Sequence, residues 1–220
     1  MNFLGEQLQA RGFSVLRAAF KGHCRDTAQA DYLSVSSDDW IADARRSYRE
    51  AHNEAVAKKI PLFLVSYSFS ALIFNVLEKE LSFSKKVFFA PALAMKYWYP
   101  YVHTLSQWFP DLPYFTMNRH GRAKNNHVSL RAVFAFDQLK EKYDFAQPSA
   151  DSLIWLDPAD ELVSLDGLKE LLGHHTNWRL NEVEVNRANV PHHLIVEKEA
   201  FSPEKWKSIL EESTNFLRVN

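Results

Sequence analysis

The chain has 220 residues, of which 46% are hydrophobic and 14% aromatic, so a disordered protein is excluded and one α/β domain with a sizeable core is expected. The formal net charge of −1 gives no electrostatic reason to expect a nucleic-acid partner. Cys24 is the single cysteine, which excludes a disulfide framework and makes the reducing cytoplasm the default compartment. No apolar run reaches the roughly 18 residues of a membrane span, and the amphipathic N-terminus does not resemble a signal peptide.

The first sixty or so residues alternate between helical and extended patterns. The predicted elements are, in chain order, a helix ended by Gly12, a strand over Phe13–Phe20, a polar loop over 21–27, and a helix from Trp40 to about Lys59 capped by Asp38 or Asp39.

A strand, a turn rich in serine and a helix follow one another over residues 61–77. The apolar run Leu62–Val65 is long enough for a buried strand, and apolar residues recur at helical spacing after Ser70. This arrangement is typical of a nucleophile elbow with Ser68 at its apex. Ser66 and Ser70 stand where that motif has glycines, and serine fits there at some steric cost. The alternative is an ordinary strand-to-helix junction in which one serine caps the helix.

Strands and helices continue to alternate beyond the elbow. The predicted elements are a strand over Lys86–Pro91, a strand over Leu153–Leu156, a helix over Leu165–Leu172 ended by Gly173, an edge strand over Arg179–Val185, and a last helix capped by Ser202. This alternation predicts an α/β fold, with a mostly parallel sheet and helices on both faces.

An aromatic, proline-marked insertion interrupts this pattern from 95 to 149. A long excursion between two strands predicts a helical cap, so the core is expected over 1–94 and 150–220. The aromatic side chains of the cap either form its own core or line an acyl pocket.

Carboxylates and histidines follow two of the predicted strands. Asp157 and Asp160 come after the fourth strand, and His192 and His193 come after the fifth. The carboxyl ends of parallel strands meet at one edge of a sheet, so these side chains are expected to converge on Ser68. A nucleophile, a base and an orienting carboxylate are the groups that catalysis by serine requires.

Segments along the whole chain outside the predicted cap carry a resemblance to a known family. They are the strand entry Leu8–Val15, the loop Phe20–Asp26, the elbow Ser66–Ser70, the strand Phe88–Pro91, the acid loop Asp157–Val163 and the histidine loop Pro191–Val196. With serine, aspartate and histidine in this order, the chain resembles the α/β-hydrolases, and among them the small esterases and acylglycerol lipases.

The resemblance implies a role for each candidate residue. Ser68 is the nucleophile, Asp160 the orienting acid and His193 the base, and the backbone N–H of Phe69 is an oxyanion donor. His192 is the alternative base, and Asp157 is the alternative acid. His23 is expected at the same sheet edge, where it lines the pocket.

The function that the resemblance implies is cleavage of carboxylic esters with apolar acyl or aryl groups, through an acyl-enzyme on Ser68, with no cofactor or metal. The alternative is a catalytically weak or inactive hydrolase-like protein that binds a ligand or partner, which the elbow serines, Cys24 and the absence of the family's oxyanion strand favour. The pair His174 and His175 is expected to be solvated. A zinc site at His192 and His193 lacks the spacing of zinc motifs. The sequence does not predict an oligomeric state.

The resemblance also predicts that an N-terminal segment is missing. The first helix matches the one that follows the oxyanion strand of the family, so that strand and its loop are expected upstream of Met1. Losing the oxyanion donor of that loop costs on the order of a hundred- to a thousand-fold in rate. Either the chain is a shortened form, or Phe13–Phe20 pairs directly with the elbow strand, or a neighbouring chain supplies the strand. A missing segment also weakens the expectation of a cytoplasmic protein.

Overall fold

The computed structural model describes residues 2–22, 34–110, 112–115, 127–142, 150–173, 176–186, 188 and 190–218. The helices are α1 (Asn2–Gln9), α2 (Ser37–Lys58), α3 (Phe69–Val76), α4 (Tyr99–Trp108), α5 (Leu130–Lys142), α6 (Leu165–Leu172) and α7 (Pro203–Arg218), with a short 3₁₀ turn at Lys198–Ala200. The strands are β1 (Phe63–Tyr67), β2 (Lys85–Phe89), β3 (Pro113–Phe115), β4 (His127–Ser129), β5 (Ser152–Leu156) and β6 (Trp178–Glu182).

Four strands form the central sheet, in the order β1-β2-β5-β6, and every pair is parallel. Val87, Phe88 and Phe89 of β2 are all fully buried, as are Leu153 and Ile154 of β5. Successive side chains of a strand point to opposite faces, so both faces of the sheet are covered. The predicted α/β class is therefore confirmed, and β6 lies at a sheet edge as its alternating pattern indicates.

The prediction of a strand over Phe13–Phe20 is wrong. This segment has no regular secondary structure and pairs with no strand in the part of the chain that the structure describes. Its aromatic residues pack against the elbow strand and the helix after it. The ring centroids of Phe13 and Phe63 are 6.2 Å apart and those of Phe20 and Phe69 are 5.7 Å apart, both edge-on. The apolar pattern thus reflects packing beside the sheet, and β1 is the edge strand. Direct pairing of Phe13–Phe20 with the elbow strand does not occur.

The ends of the helices largely follow their sequence signals. Helix α1 ends at Gln9, and Gly12 closes the turn that follows it with φ of 86°. At the start of α7, Ser202 Oγ accepts the Lys205 N–H. The N-cap of α2 is Ser36, so the prediction of Asp38 or Asp39 is wrong. Ser36 Oγ accepts the Asp39 N–H and the Asp39 carboxylate accepts the Ser36 N–H, which together form a capping box.

The insertion contains two helices that pack on each other. Asp137 of α5 accepts hydrogen bonds from Tyr99 Oη and His103 Nδ1 of α4 at 2.5 and 2.6 Å. The aromatic side chains divide between two environments: Tyr99 is buried, whereas Tyr97, Tyr101 and Trp108 are 86%, 77% and 74% exposed. They therefore do not form a single cap core, and the division at 95 and 149 remains a prediction.

None of the helices in the described residues is long and apolar enough to cross a membrane.

Candidate active site

Ser68 stands at the turn between β1 and α3, in a strained backbone conformation with φ of 54° and ψ of −127°. A non-glycine residue with positive φ costs on the order of 1–3 kcal/mol and persists only where its surroundings enforce it. Here the Ser68 N–H donates to Phe89 O at 3.0 Å, and the Ala92 N–H donates to Ser68 O at 3.1 Å. Hydrogen bonds to the end of β2 thus fix the apex of the turn.

The serines on either side of the apex are hydrogen-bonded to the turn itself. Ser66 Oγ lies 2.7 Å from Ser70 Oγ. Ser70 Oγ also accepts the Tyr67 N–H at 3.2 Å and donates to Tyr67 O at 2.7 Å. Ser68 occupies the N-cap position of α3 but makes no side-chain cap bond. The serines thus stabilise a sharp elbow, and the simple capping alternative does not describe it.

Ser68, His193 and Asp160 lie in one line of hydrogen bonds. Ser68 Oγ is 2.8 Å from His193 Nε2, and His193 Nδ1 is 2.9 Å from Asp160 Oδ2. His193 is 8% exposed and Asp160 is fully buried. The three residues come from the carboxyl-side loops of β1, β6 and β5, the sheet edge at which the sequence predicts them.

Asp160 is fixed independently of the histidine. Its Oδ1 accepts the N–H groups of Leu162 and Val163, both at 2.8 Å. Asp160 does not cap the following helix, because Ser164 caps α6 with Oγ accepting the Gly167 N–H at 3.1 Å. The carboxylate is therefore held in a fixed orientation, with Oδ2 at 2.9 Å and Oδ1 at 3.1 Å from His193 Nδ1.

The alternative base and the alternative acid pair with each other. His192 Nδ1 lies 2.7 Å from Asp157 Oδ2. Asp157 is buried, and its oxygens also accept the N–H groups of Ala159 and Val185, each at 2.7 Å. This second pair joins the acid loop, the end of β6 and the histidine loop, which is a structural role.

The chain is similar to known proteins in its fold and not in its sequence. No family model and no curated protein matches the chain. Solved structures do match: a soluble variant of monoglyceride lipase from Saccharomyces cerevisiae in complex with a substrate analogue superposes with a TM-score of 0.65 at 14% identity, over 84% of this chain and 70% of that one. Monoacylglycerol lipase from Paleococcus ferrophilus gives a TM-score of 0.65 at 16% identity, over 94% and 86%. Est1E from Butyrivibrio proteoclasticus, with bound ferulic acid, gives 0.60 at 12% identity, over 98% and 80%.

The chain has the α/β-hydrolase fold. At these identities the likeness shows the fold alone, so a reaction has to be argued from the site.

Two residues beside the site of this α/β-hydrolase fold were not predicted from the sequence. Glu161 accepts the N–H groups of His192 and His193, and Tyr67 Oη donates to His193 O. In the sequence, these two residues are marked only by their positions next to Asp160 and Ser68. Those positions do not predict a contact with His193, which lies 32 residues from Glu161 and 126 residues from Tyr67 along the chain.

The start of the insertion is tied to the acid loop. An isolated antiparallel bridge joins Met95 to Val163, and the Ser164 N–H donates to Ala94 O at 2.8 Å. Trp98 Nε1 donates to the carbonyl of Glu161 at 3.2 Å. The insertion is thus anchored beside Asp160, at the sheet edge that carries the candidate residues.

A cavity of about 640 Å³ opens near the carboxyl end of β6, with Val185, Asn186, Phe201 and Lys205 in its lining. Neither Ser68 nor His193 lines it, so it is not the pocket of the candidate site. Within the described residues, no group of three or more His, Cys, Asp or Glu side chains is placed to hold a metal ion. His23, Cys24, His174 and His175 lie outside the described residues.

Proposed function

We propose that the protein is a serine hydrolase that cleaves carboxylic esters. The observation that supports this most directly is the hydrogen-bonded series Ser68 Oγ–His193 Nε2–His193 Nδ1–Asp160 Oδ2, with contacts of 2.8 and 2.9 Å. A base within about 2.6–3.2 Å of the nucleophile, itself oriented by a third group, is the geometry of an activated serine.

In the proposed reaction, His193 Nε2 takes the proton of Ser68 as Oγ attacks the ester carbonyl. The buried Asp160 accepts the Nδ1–H of His193 and stabilises the imidazolium that forms. The Phe69 N–H, at the first residue of α3, donates to the oxyanion of the tetrahedral intermediate. His193 then protonates the leaving alcohol, and a water activated by the same base releases the acid from the acyl-enzyme. No cofactor takes part.

We propose an ester with an apolar acyl or aryl group as the substrate. Phe69 follows the nucleophile directly, and the rings of Phe20 and Trp40 lie 5.7 and 5.2 Å from it. Phe20 and Trp40 are themselves buried, so the half-buried ring of Phe69 is the apolar side chain that remains next to the nucleophile, and it favours an apolar group beside the reacting carbonyl. Two of the structures that share this fold are monoglyceride lipases, with which an ester substrate is consistent. The segment 95–149 is proposed as the cap over it, and the cytoplasm as the compartment.

The test is covalent labelling with a fluorophosphonate probe, together with hydrolysis of a short-chain nitrophenyl ester. We expect the wild type to label and to turn over the ester, and Ser68→Ala to do neither. Ser66→Ala is the matched control, because it removes a hydroxyl from the same elbow and should still label. Full labelling of Ser68→Ala, or none of the wild type, would contradict the proposal.

The binding-protein alternative expects Ser68 to lie beyond hydrogen-bond reach of either histidine. The 2.8 Å contact with His193 supports the hydrolase instead.

A further inference from the structure

We infer that Glu161 and Tyr67 are positioning residues that together hold the main chain of His193 on both sides. The inference rests on the proposed function, because it assigns to them the placement of the base of that reaction. Their side-chain hydrogen bonds go to main-chain groups of the histidine loop and not to Ser68 Oγ or His193 Nε2, so both act through His193.

Glu161 holds the N–H side of the histidine loop. Its Oε1 accepts the His192 N–H at 3.0 Å, and its Oε2 accepts the His193 N–H at 2.9 Å. One carboxylate thus bridges two consecutive peptide groups, and bonds from N–H groups to a charged acceptor are stronger than neutral ones. The Glu161 backbone is itself anchored, because Trp98 Nε1 donates to its carbonyl at 3.2 Å.

Tyr67 holds the carbonyl side. Its Oη donates to His193 O at 3.0 Å, and its ring lies 5.4 Å from the imidazole at an interplanar angle of 35°. Burial of the phenol raises the pKa of Tyr67 well above its usual value, and the nearby charges of Asp160, Glu197 and Glu161 raise it further. The phenol therefore remains a hydrogen-bond donor wherever the protein is folded.

Tyr67 also links the base directly to the nucleophile. It is the residue before Ser68, and its own N–H and C=O are both bonded to Ser70 Oγ. The fixed backbone of Tyr67 positions Ser68, and the phenol of the same residue positions the main chain of His193. The positions of the nucleophile and the base therefore both depend on Tyr67. This matters because a displacement of about 1 Å can cost on the order of a hundred-fold in rate.

The test compares Tyr67→Phe and Glu161→Gln with the wild type on the nitrophenyl ester. Tyr67→Phe removes only the hydroxyl, and Glu161→Gln leaves a single oxygen for two N–H donors. We expect each variant to lower kcat on the order of ten- to a hundred-fold, with KM within about two-fold of the wild type. Tyr48→Phe is the matched control, because its hydroxyl is bonded to the backbone of Ser82 away from the site, and kcat should be unchanged.

Two further measurements separate positioning from a general loss of structure. In a His193→Ala background, Tyr67→Phe should leave the residual rate unchanged, because groups that act as a unit are not additive. Amide hydrogen exchange of the 190–196 peptide, measured without substrate, should be faster in Glu161→Gln than in the wild type.

The inference is overturned if both variants keep wild-type kcat, if the Tyr67→Phe cost persists without His193, or if exchange of that peptide is unchanged. If the wild type neither labels nor hydrolyses the ester, the proposed function fails, and the exchange measurement alone decides whether Glu161 holds the loop.

Discussion

Replacing Asp160 by asparagine exchanges donor and acceptor in the shorter hydrogen bond between this residue and His193 Nδ1. Asp160 Oδ1 accepts two backbone N–H groups, from Leu162 and Val163, so the single oxygen of asparagine has to remain there. The amide nitrogen then takes the place of Oδ2, which lies 2.9 Å from His193 Nδ1. Oδ1 also lies 3.1 Å from Nδ1, so an Nδ1–H would keep only this longer contact while it faces the NH₂ group in the nearer position. An NH₂ group only donates, so the variant favours the tautomer in which Nδ1 accepts and the ring proton lies on Nε2.

With its proton on Nε2, His193 donates to Ser68 Oγ and cannot take the proton of the serine. A wrong tautomer of this kind costs on the order of 10⁴-fold in kcat in Ser-His-Asp sites, which corresponds to about 5.5 kcal/mol. The measurement is kcat/KM on the nitrophenyl ester, with the rate of fluorophosphonate labelling as a second readout. Both should fall together, while the melting temperature stays close to that of the wild type.

Asp157→Asn is the matched control, because it makes the same change in the neighbouring pair. Both Asp157 oxygens accept backbone N–H groups, from Ala159 and Val185, so an amide nitrogen has to face a donor there. We expect this variant to lose stability while it retains most of its kcat. Equal losses of rate in the two variants, or more than a tenth of wild-type rate in Asp160→Asn, would refute the reasoning.

Two further changes test the frame around the site. Ser70→Gly restores the usual elbow glycine but removes the bonds of Ser70 Oγ to both backbone groups of Tyr67, so thermal melting should report a loss of about 2 kcal/mol; an unchanged melting temperature would show that these bonds contribute little. Lys86 is buried beside Glu78, and desolvation by burial lowers the pKa of Lys86 despite this partner. Lys86→Met should therefore cost on the order of 3–5 kcal/mol in urea unfolding, whereas Lys86→Met with Glu78→Leu should be near neutral or more stable. Because the folded state loses the Lys86 proton at a lower pH than the unfolded chain, the wild type should gain stability as pH rises toward 10.5, and the double variant should lack this gain. A cost that is equal in the single and double variants, or a pH gain that survives in the double variant, would contradict this account.

Local patterns along the chain were sufficient to predict most of the helices and strands. The helix over Leu165–Leu172 matches its prediction residue for residue, because a serine cap and a glycine stop bracket a short amphipathic run. The β2 and β5 strands lie within a residue or two of their predicted limits, since fully buried parallel strands are continuous apolar runs. The segment Phe13–Phe20 is also rich in apolar residues, although Ser14 and Arg17 interrupt it, and it packs without a strand partner. A single segment does not reveal whether a neighbour is available to pair with it.

The order of residues along the chain placed Ser68, Asp160 and His193 at one sheet edge, and the structure brings these three side chains together. The assignment of partners among two aspartates and two histidines depends on side-chain direction, which spacing does not specify. Contacts such as Tyr67 with the His193 carbonyl depend on distances across the sheet edge. They become visible only in three dimensions.

The hydroxyl of Ser70 has a consequence for self-association. Leu62 O and the Ser68 N–H both bond toward β2, so the main-chain groups of Phe63, Val65 and Tyr67 point away from it, toward the side of β1 that pairs with no strand in the described part of the chain. An open strand edge is a template on which another chain can pair and aggregate. Ser70 Oγ bonds to both groups of Tyr67 and so takes this residue out of any such pairing. A glycine at the same position would remove this bond partner from both groups of Tyr67 and leave them free to pair with another chain.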